Sequence, residues 1–213
     1  MLWVALHLPA LSLEAWLATR PADEAGDAAR PGVLIHEHQV AHADAAALAR
    51  GVRVGMKRAT ALALAPDLRL GVADPRRDAQ ALRSVAHVAL GFSPSVTWLP
   101  AASATDPPAL VGVRLEVQTC LRYFGGLPAL LARLQAALAP LGHRVVVATA
   151  PTALGAALLA AWRGDLAQGL HSTDREALQR LLDGLPLAGL VADAARLQAL
   201  AGMGLHTLAD VRR

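Results

Sequence analysis

The sequence predicts an α+β fold in which helices back a mixed β-sheet, and three observations predict it. Residues 111–117 place an apolar side chain at every second position, which is typical of a strand with one buried face. Residues 76–90 place apolar side chains at helical spacing. Across residues 1–17 and 72–162 the predicted elements follow the order β-α … α-β-β-α-β-α, which places helices against one sheet.

Strands are predicted where short apolar runs are ended or interrupted by proline or glycine. Within residues 109–126, a strand passes through a turn at Gly125 and Gly126 into a helix. The three consecutive valines at 145–147 indicate a fully buried strand. The predicted strands are 1–8, 33–35, 68–72, 92–99, 111–117 and 144–149.

Helices are predicted where the apolar period is helical and where capping residues or prolines mark the ends. Ser12 is the predicted N-cap of a helix over 13–19, and Thr207 is the predicted N-cap of the last helix. The other predicted helices are 43–50, 58–65, 76–90, 127–141, 151–162 and 194–201. The order of strands and helices is that of ferredoxin-like domains.

Composition limits the possible classes of protein. No apolar run reaches the ~20 residues of a membrane span, and no basic segment precedes the first apolar run as in a signal peptide. The single cysteine, Cys120, rules out a disulfide framework and fits a reducing compartment. We therefore expect a cytoplasmic protein. The net charge of +3 and the pI near 9.9 permit nucleic-acid binding without requiring it.

Four stretches, in this order along the chain, resemble the Y-family (translesion) DNA polymerases. They are the turn Gly51-Val-Arg-Val-Gly-Met56 with the helix after it, the strand Leu115-Glu116-Val117 through Phe124-Gly125-Gly126, the strand and helix over 145–159, and the helical stretch 185–211. The resemblance implies a ferredoxin-like palm over 1–19 and 73–165. It further implies a small α/β fingers-like insert over 20–72 and a truncated helix-hairpin-helix thumb-like part over 166–213.

The resemblance also implies where the metal ligands of a polymerase would lie. Two Mg²⁺ ions in such enzymes need clustered carboxylates on facing strands. The positions that match the family's acids hold no carboxylate, and they are Ala5, His7, Val111 and Gly112. The positions that match its triphosphate-holding Tyr, Arg and Lys are Ala45, Leu48 and Ala153. The chain is therefore expected to be a pseudo-polymerase that holds no catalytic metal and no cofactor.

Within the family, the start Leu2-Trp3-Val4-Ala5-Leu6-His7, the lost ligands and the Ala-Leu bias resemble an inactive branch. That branch is the polymerase-like subunit of the bacterial SOS mutasome. The resemblance implies a scaffold that links the sliding clamp, an error-prone C-family polymerase and a RecA-like accessory protein at damaged DNA. Because such proteins continue into a little-finger domain and a C-terminal tail, we expect this chain to be part of a longer protein.

Two groups of residues are candidate contacts with DNA or a partner. Arg53, Lys57 and Arg58 flank the turn of the insert, where they either contact a template phosphate or partner or form an ordinary solvated turn. Gly202 and Gly204 lie in a hairpin that resembles those binding backbone phosphate through main-chain N–H groups.

Other residues are candidates for sites, but structural interpretations are preferred for them. His36, His38 and His42 offer imidazole ligands, with His36 and His38 on one strand face, but a solvent-facing segment is the preferred interpretation. Glu116 matches a non-catalytic acid of the family, and Asp106 lies too far along the chain to replace the missing acids. The four tryptophans are candidate base-stacking platforms, with core packing preferred: Trp3, Trp16, Trp98 and Trp162.

Two other functions stay open at the level of sequence. One is an active nucleotidyltransferase with relocated ligands, for which Glu116 and Asp106 are the candidate acids. The other is an independent DNA-binding module, whose binding should depend strongly on salt.

Overall fold

A computed structural model describes residues 1–20, 30–99, 111–162, 174–191 and 193–213. The chain divides into two compact units. The first unit is Met1–Pro9 with Leu82–Arg213, and the second unit is Ala10–Ala81. Asp106 lies outside the described residues.

Seven strands and ten α-helices lie in the described residues. The strands are β1 Trp3–His7, β2 Gly32–His36, β3 Gln39–Ala43, β4 Arg69–Val72, β5 Val96–Leu99, β6 Gly112–Glu116 and β7 Val146–Ala150. The helices are α1 Leu11–Leu17, α2 Ala45–Ala49, α3 Arg58–Leu64, α4 Pro75–Leu90, α5 Leu121–Phe124, α6 Leu127–Leu138, α7 Ala153–Trp162, α8 Arg175–Asp183, α9 Ala194–Gly202 and α10 Leu208–Arg212. Among the described residues, no helix is both long and apolar enough to cross a membrane.

The first unit contains a four-stranded sheet in the order β5-β6-β1-β7. Every neighbouring pair in this sheet is antiparallel, so the sheet is antiparallel rather than mixed as predicted. Strand β1 lies in the middle and pairs with β6 and β7, which follow it by more than a hundred residues. This arrangement confirms the predicted α+β class.

Small side chains on β1 and β7 allow helix α7 to pack closely against the sheet. Ala5, Ala148 and Ala150 form one buried cluster with Ala157 and Leu159 of α7. The predicted buried faces of β6 and of helix α4 are confirmed. Val113, Leu115 and Val117 are fully buried, and α4 buries the side chains Leu82, Val85, Ala86 and Ala89.

The second unit contains a three-stranded sheet in the order β3-β2-β4. Strands β2 and β3 form an antiparallel hairpin, whereas β2 and β4 are parallel. The hairpin turn consists of Glu37 and His38, which have φ values of 45° and 66°. Two consecutive left-handed residues match the right-handed twist of the strands, as in type I′ turns.

Two predictions in the second unit are wrong. The predicted helix over 43–50 begins only at Ala45, because pairing with β2 makes Gln39–Ala43 a strand. Ser12 is not an N-cap, because α1 begins at Leu11 and Ala10 occupies the cap position without a side-chain bond. The Ser12 hydroxyl instead donates a hydrogen bond to Asp78 Oδ2 at 2.5 Å.

The last helices begin at side-chain caps. Asp174 caps α8, Asp193 caps α9, and Thr207 caps α10. Thr207 and Asp210 form a capping box, in which the Thr207 hydroxyl accepts from the Asp210 N–H and the Asp210 carboxylate accepts from the Thr207 N–H. The predicted role of Thr207 is therefore confirmed.

The Asp44 carboxylate joins two parts of the second unit. Its Oδ1 accepts from Ala47 N–H at 2.7 Å and its Oδ2 accepts from Gly32 N–H at 2.6 Å. We expect Asp44→Ala to destabilise this unit by about 2–3 kcal/mol, because a cap and a charge-assisted bond are both lost. Hydrogen exchange of the Gly32 and Ala47 amides measures the effect directly.

Asp44→Asn is the matched control, since an amide oxygen still accepts the capping bond. Asp193→Ala removes a cap and an exposed ion pair with Arg196 but no bond to a distant segment, and it should cost about 1 kcal/mol. Unchanged protection of both amides in Asp44→Ala would contradict this role.

Candidate functional site

The four positions predicted to match metal ligands lie together at one end of the first unit's sheet. Pairing of β1 with β6 sets Ala5 opposite Arg114 and Leu6 opposite Val113. A shallow indentation at this end of the two strands is lined by Ala5, Leu6, His7, Val111, Gly112, Val113, Arg114 and Ala157. Among the described residues, the indentation leaves no room for a water molecule.

Gly112 closes the indentation because it lies directly against β1. Its φ is +147°, in the region that favours glycine. A Cβ built on Gly112 would lie 2.5 Å from the carbonyl oxygen of Leu6. No side chain, acidic or otherwise, fits at this position unless the two strands move apart.

The lining offers no carboxylate to a metal ion. Ala5 is only 2% exposed, in the alanine cluster beneath α7. Opposite Ala5, Arg114 brings a guanidinium to the site, and partial burial lowers the pKa of that group. A guanidinium at this point repels a divalent cation. Arg114 is not among the predicted site residues, although the alternation of the strand places it on the same face as Gly112.

His7 is the remaining polar group at this end of the sheet. Burial lowers its pKa, and a hydrogen bond with the backbone of Val111 opposes that effect. Its Nδ1 is buried and has no hydrogen-bond partner among the described residues. His7 is therefore held as a neutral imidazole, a ligand that suits softer metals than Mg²⁺.

The positions matched to triphosphate ligands carry no polar side chain. Ala45 and Leu48 lie on α2 of the second unit, where Leu48 is 42% exposed. Ala153 is the first residue of α7 in the first unit. None of the three offers a side-chain donor to a phosphate.

The cationic residues of the insert differ in their surroundings. The Arg53 guanidinium donates to the carbonyls of Leu48 and Val52, at 2.7 and 2.9 Å, and so closes the turn after α2. Lys57 and Arg58 are exposed. They line a surface concavity together with Glu37, His38, Gln39, Ala59 and Leu62.

The two glycines of the last hairpin lie at the surface. Gly202 ends α9, and Gly204 has a φ of +78°. A Cβ added at either glycine would have no atom within 4 Å beyond its immediate neighbours, so both backbones are accessible from outside. The N–H groups of the hairpin are already used within the chain, because Gly204 N–H donates to the Ala201 carbonyl at 2.9 Å and Leu205 N–H to the Leu200 carbonyl at 3.0 Å.

The three histidines of the hairpin do not share a strand face. His36 ends β2, while His38 lies in the turn, which corrects the predicted arrangement. His42 lies on β3, opposite Leu34. No group of three or more His, Cys, Asp or Glu side chains with metal-binding geometry occurs within the described ranges.

Glu116 lies at the other end of β6 from Gly112. Its Oε1 accepts hydrogen bonds from the backbone N–H groups of Leu2 and Gln118, each at 3.2 Å. This carboxylate therefore ties the start of β1 to the end of β6 and does not reach the indentation.

Three of the four tryptophans pack against buried clusters, in agreement with the preferred interpretation of core packing. Trp16 is 7% exposed beside Leu34. Trp3 and Trp162 pack against separate buried clusters of the first unit. Trp98, on the edge strand β5, is 48% exposed and so differs from the other three.

Replacement of Gly112 tests the close approach of the two strands. We expect Gly112→Ala to destabilise the protein by about 2–4 kcal/mol, because the new Cβ meets the Leu6 carbonyl and the backbone is strained. Gly202→Ala is the matched control, since open space surrounds that position and alanine favours the helix. Equal urea midpoints for the two variants would contradict the close approach.

Burial of His7 predicts a dependence of stability on pH. Because the pKa of His7 is lower in the folded protein than its usual 6.5, the unfolded chain takes up a proton first as the pH falls. Stability should therefore fall as the pH drops below about 6.5, with a contribution of at most about 1.4 kcal/mol per pH unit.

His7→Gln should make the slope of unfolding free energy against pH shallower between about pH 7.5 and 5.5. His206→Gln, at an exposed histidine, is the matched control. An identical slope in the wild type and His7→Gln would show that His7 makes no such contribution.

Comparison with known proteins gives sequence relatives and fold relatives. No family model matches the chain. The chain is 35% identical over 162 residues to the protein ImuB of Caulobacter vibrioides, in strain NA1000 / CB15N and in strain ATCC 19089 / CIP 103742 / CB 15. The match covers 76% of this chain and 32% of ImuB, so the chain spans about a third of the length of these relatives.

Solved polymerase structures share the fold. An insertion ternary complex of Dbh DNA polymerase matches with a TM-score of 0.74 at 17% identity, covering 99% of this chain and 60% of that one. DinB from Sulfolobus solfataricus matches with a TM-score of 0.70, also at 17% identity and with the same coverage. The chain therefore has a Y-family DNA polymerase-like fold and is related in sequence to ImuB over three quarters of its length.

Proposed function

We propose that this chain is a non-catalytic, polymerase-like scaffold in SOS-induced translesion DNA synthesis. One observation carries the proposal. At the end of the sheet where the family's metal ligands would lie, the described lining has no carboxylate, one guanidinium from Arg114, and no room for a side chain at Gly112.

The chemistry of nucleotide transfer supports this proposal. Two divalent ions activate the attacking hydroxyl and neutralise the departing pyrophosphate. Hard cations of this kind need several oxygen ligands. The matched positions Ala5, His7, Val111 and Gly112 supply none from their side chains, and those matched to the triphosphate ligands, Ala45, Leu48 and Ala153, supply no donor.

The proposed partners are those of an ImuB-type protein. They are the sliding clamp, an error-prone C-family polymerase and a RecA-like, ImuA-type accessory protein, in the cytoplasm of a bacterium near the nucleoid. The chain supplies a palm over 1–19 and 73–165, a fingers-like part over 20–72 and part of a thumb over 166–213. Because it spans about a third of ImuB, much of the partner binding is assigned to other regions of such a protein, the clamp contact above all.

DNA is a further proposed partner of the scaffold. The fold relatives include Dbh polymerase in ternary complexes. In this chain, the exposed Lys57 and Arg58 are the proposed charged contacts, and the open surface at Gly202 and Gly204 is the proposed place of close approach. Contacts of this kind hold the phosphate backbone without reading the base sequence.

A primer-extension assay combined with separate binding assays tests the proposal. With Mg²⁺ or Mn²⁺, we expect the chain to extend no primer above background, because no carboxylate cluster holds the metal ions. Dbh polymerase in the same assay is the positive control. We also expect at least one of the three purified partner proteins to be retained by the immobilised chain.

Extension that disappears in Glu116→Gln would contradict the proposal and favour an active nucleotidyltransferase with relocated ligands. Failure to retain any partner, together with salt-sensitive binding to primer-template DNA, would favour an independent DNA-binding module.

A further inference from the structure

All the phenyl rings of the chain meet at one place in the first unit. The sequence contains two phenylalanines and one tyrosine. Phe92 and Phe124 are stacked, with ring centroids 5.3 Å apart and planes at 19°. Tyr123 meets Phe124 edge-on, with centroids 5.0 Å apart and planes at 88°. We call Phe92, Arg122, Tyr123, Phe124 and Arg133 the aromatic surface.

The aromatic surface is open to solvent. The Tyr123 side chain is 83% exposed, although the two rings beneath it are partly buried. Nearby in the chain, Leu90 at the end of α4 is 50% exposed. A supported but exposed aromatic ring beside other apolar groups is typical of the centre of a protein interface.

Positive charge accompanies these rings. The Arg133 guanidinium lies 6.0 Å from the centroid of the Phe124 ring, and Arg122 is exposed on α5. Neither arginine forms an ion pair within the part of the chain that the structure describes. In the sequence, no Asp or Glu occurs from Ala79 to Thr105 or from Val117 to Gly164. The segments that form this surface therefore favour an acidic partner.

The aromatic surface lies away from the indentation of the candidate site. Phe92 precedes β5, and Tyr123 and Phe124 follow β6. Because β5 and β6 are antiparallel, the start of β5 lies beside the end of β6, so the three rings adjoin the Glu116 end of β6. The indentation adjoins Gly112 at the other end of this strand. Four residues of β-strand separate the two ends by roughly 14 Å. Glu116, the nearest acid in sequence, is already bonded to two backbone N–H groups.

The ring geometry favours a protein partner over single-stranded nucleic acid. A stacking platform for nucleic acid presents successive ring faces along a cationic groove. Here the faces of Phe92 and Phe124 stack on each other, and only Tyr123 projects freely. Tyr123 is the single projecting ring, and Arg122 and Arg133 lie before and after it in the chain. This arrangement suits a partner that carries one apolar anchor flanked by carboxylates.

We propose that the aromatic surface is a docking site for an acidic protein segment that carries an aromatic anchor. The carboxylates of the segment face Arg122 and Arg133, and its anchor packs against Tyr123. This surface is independent of the assignment of the chain as a scaffold, because it requires only the rings and charges of the first unit.

Fluorescence anisotropy with labelled peptides tests the docking site. The probe is a peptide of Asp, Glu, Leu and Phe, and its comparison peptides carry Asn and Gln for the acids or Ala for the Phe. We expect the acidic, aromatic probe to bind the full chain with a Kd in the micromolar range or below. Tyr123→Ala and Arg133→Glu should each weaken that binding about tenfold or more.

The control variant is Arg180→Glu, which makes the same change of charge at an exposed position of α8 and should leave the Kd unchanged. Circular dichroism confirms folding, and the exposed Tyr123 and Arg133 can be replaced without opening the core. No binding of the probe, equal binding of the neutral peptide, or equal binding by Tyr123→Ala would each overturn the proposal. Preferential, Tyr123-dependent binding of an oligo-dT probe would overturn it in favour of single-stranded nucleic acid.

Discussion

The first unit depends on the close approach of β1 and β6 at Gly112. Strand β1 is the central strand, and it pairs with β6 on one side and β7 on the other. At Gly112 the two backbones come so close that a Cβ would lie 2.5 Å from the Leu6 carbonyl oxygen. Because only glycine satisfies this contact, no acidic side chain fits at this position while the two strands keep this spacing.

The same sheet belongs to a polymerase-like fold, yet the positions matched to the metal ligands of that family carry no carboxylate. In a metal-dependent palm, clustered carboxylates repel one another until cations bind, and that repulsion opposes folding. Here Ala5 packs into a cluster of alanines beneath α7. The residue paired with Ala5 on β6 is Arg114, which is positively charged where a metal-binding carboxylate would be negatively charged. At this end of the sheet, Ala5 contributes to the buried core and Gly112 to the close contact between the two strands.

The two ends of β6 differ in character. The Gly112 end has no room for a water molecule and is lined mainly by apolar side chains together with His7 and Arg114, whereas the Glu116 end adjoins stacked rings, exposed arginines and an exposed tyrosine ring. At the Gly112 end, the described structure shows close backbone pairing between β1 and β6. The proposed docking surface lies before β5 and on α5 and α6, outside the paired strands, so a partner bound there would leave that pairing in place.

The sequence by itself determined the class of fold, most of its elements and the side chains available for chemistry. The alternation in β6, the helical period in α4 and the Thr207 cap are local patterns, so they were predicted correctly. Pairing between distant segments was decided only by the tertiary structure. It made Gln39–Ala43 a strand despite its alanines, removed Ser12 from its predicted cap, and set Arg114 opposite Ala5. It also brought Phe92 onto Phe124. A contact of this kind cannot be predicted from local sequence patterns, because the two residues lie far apart in the chain.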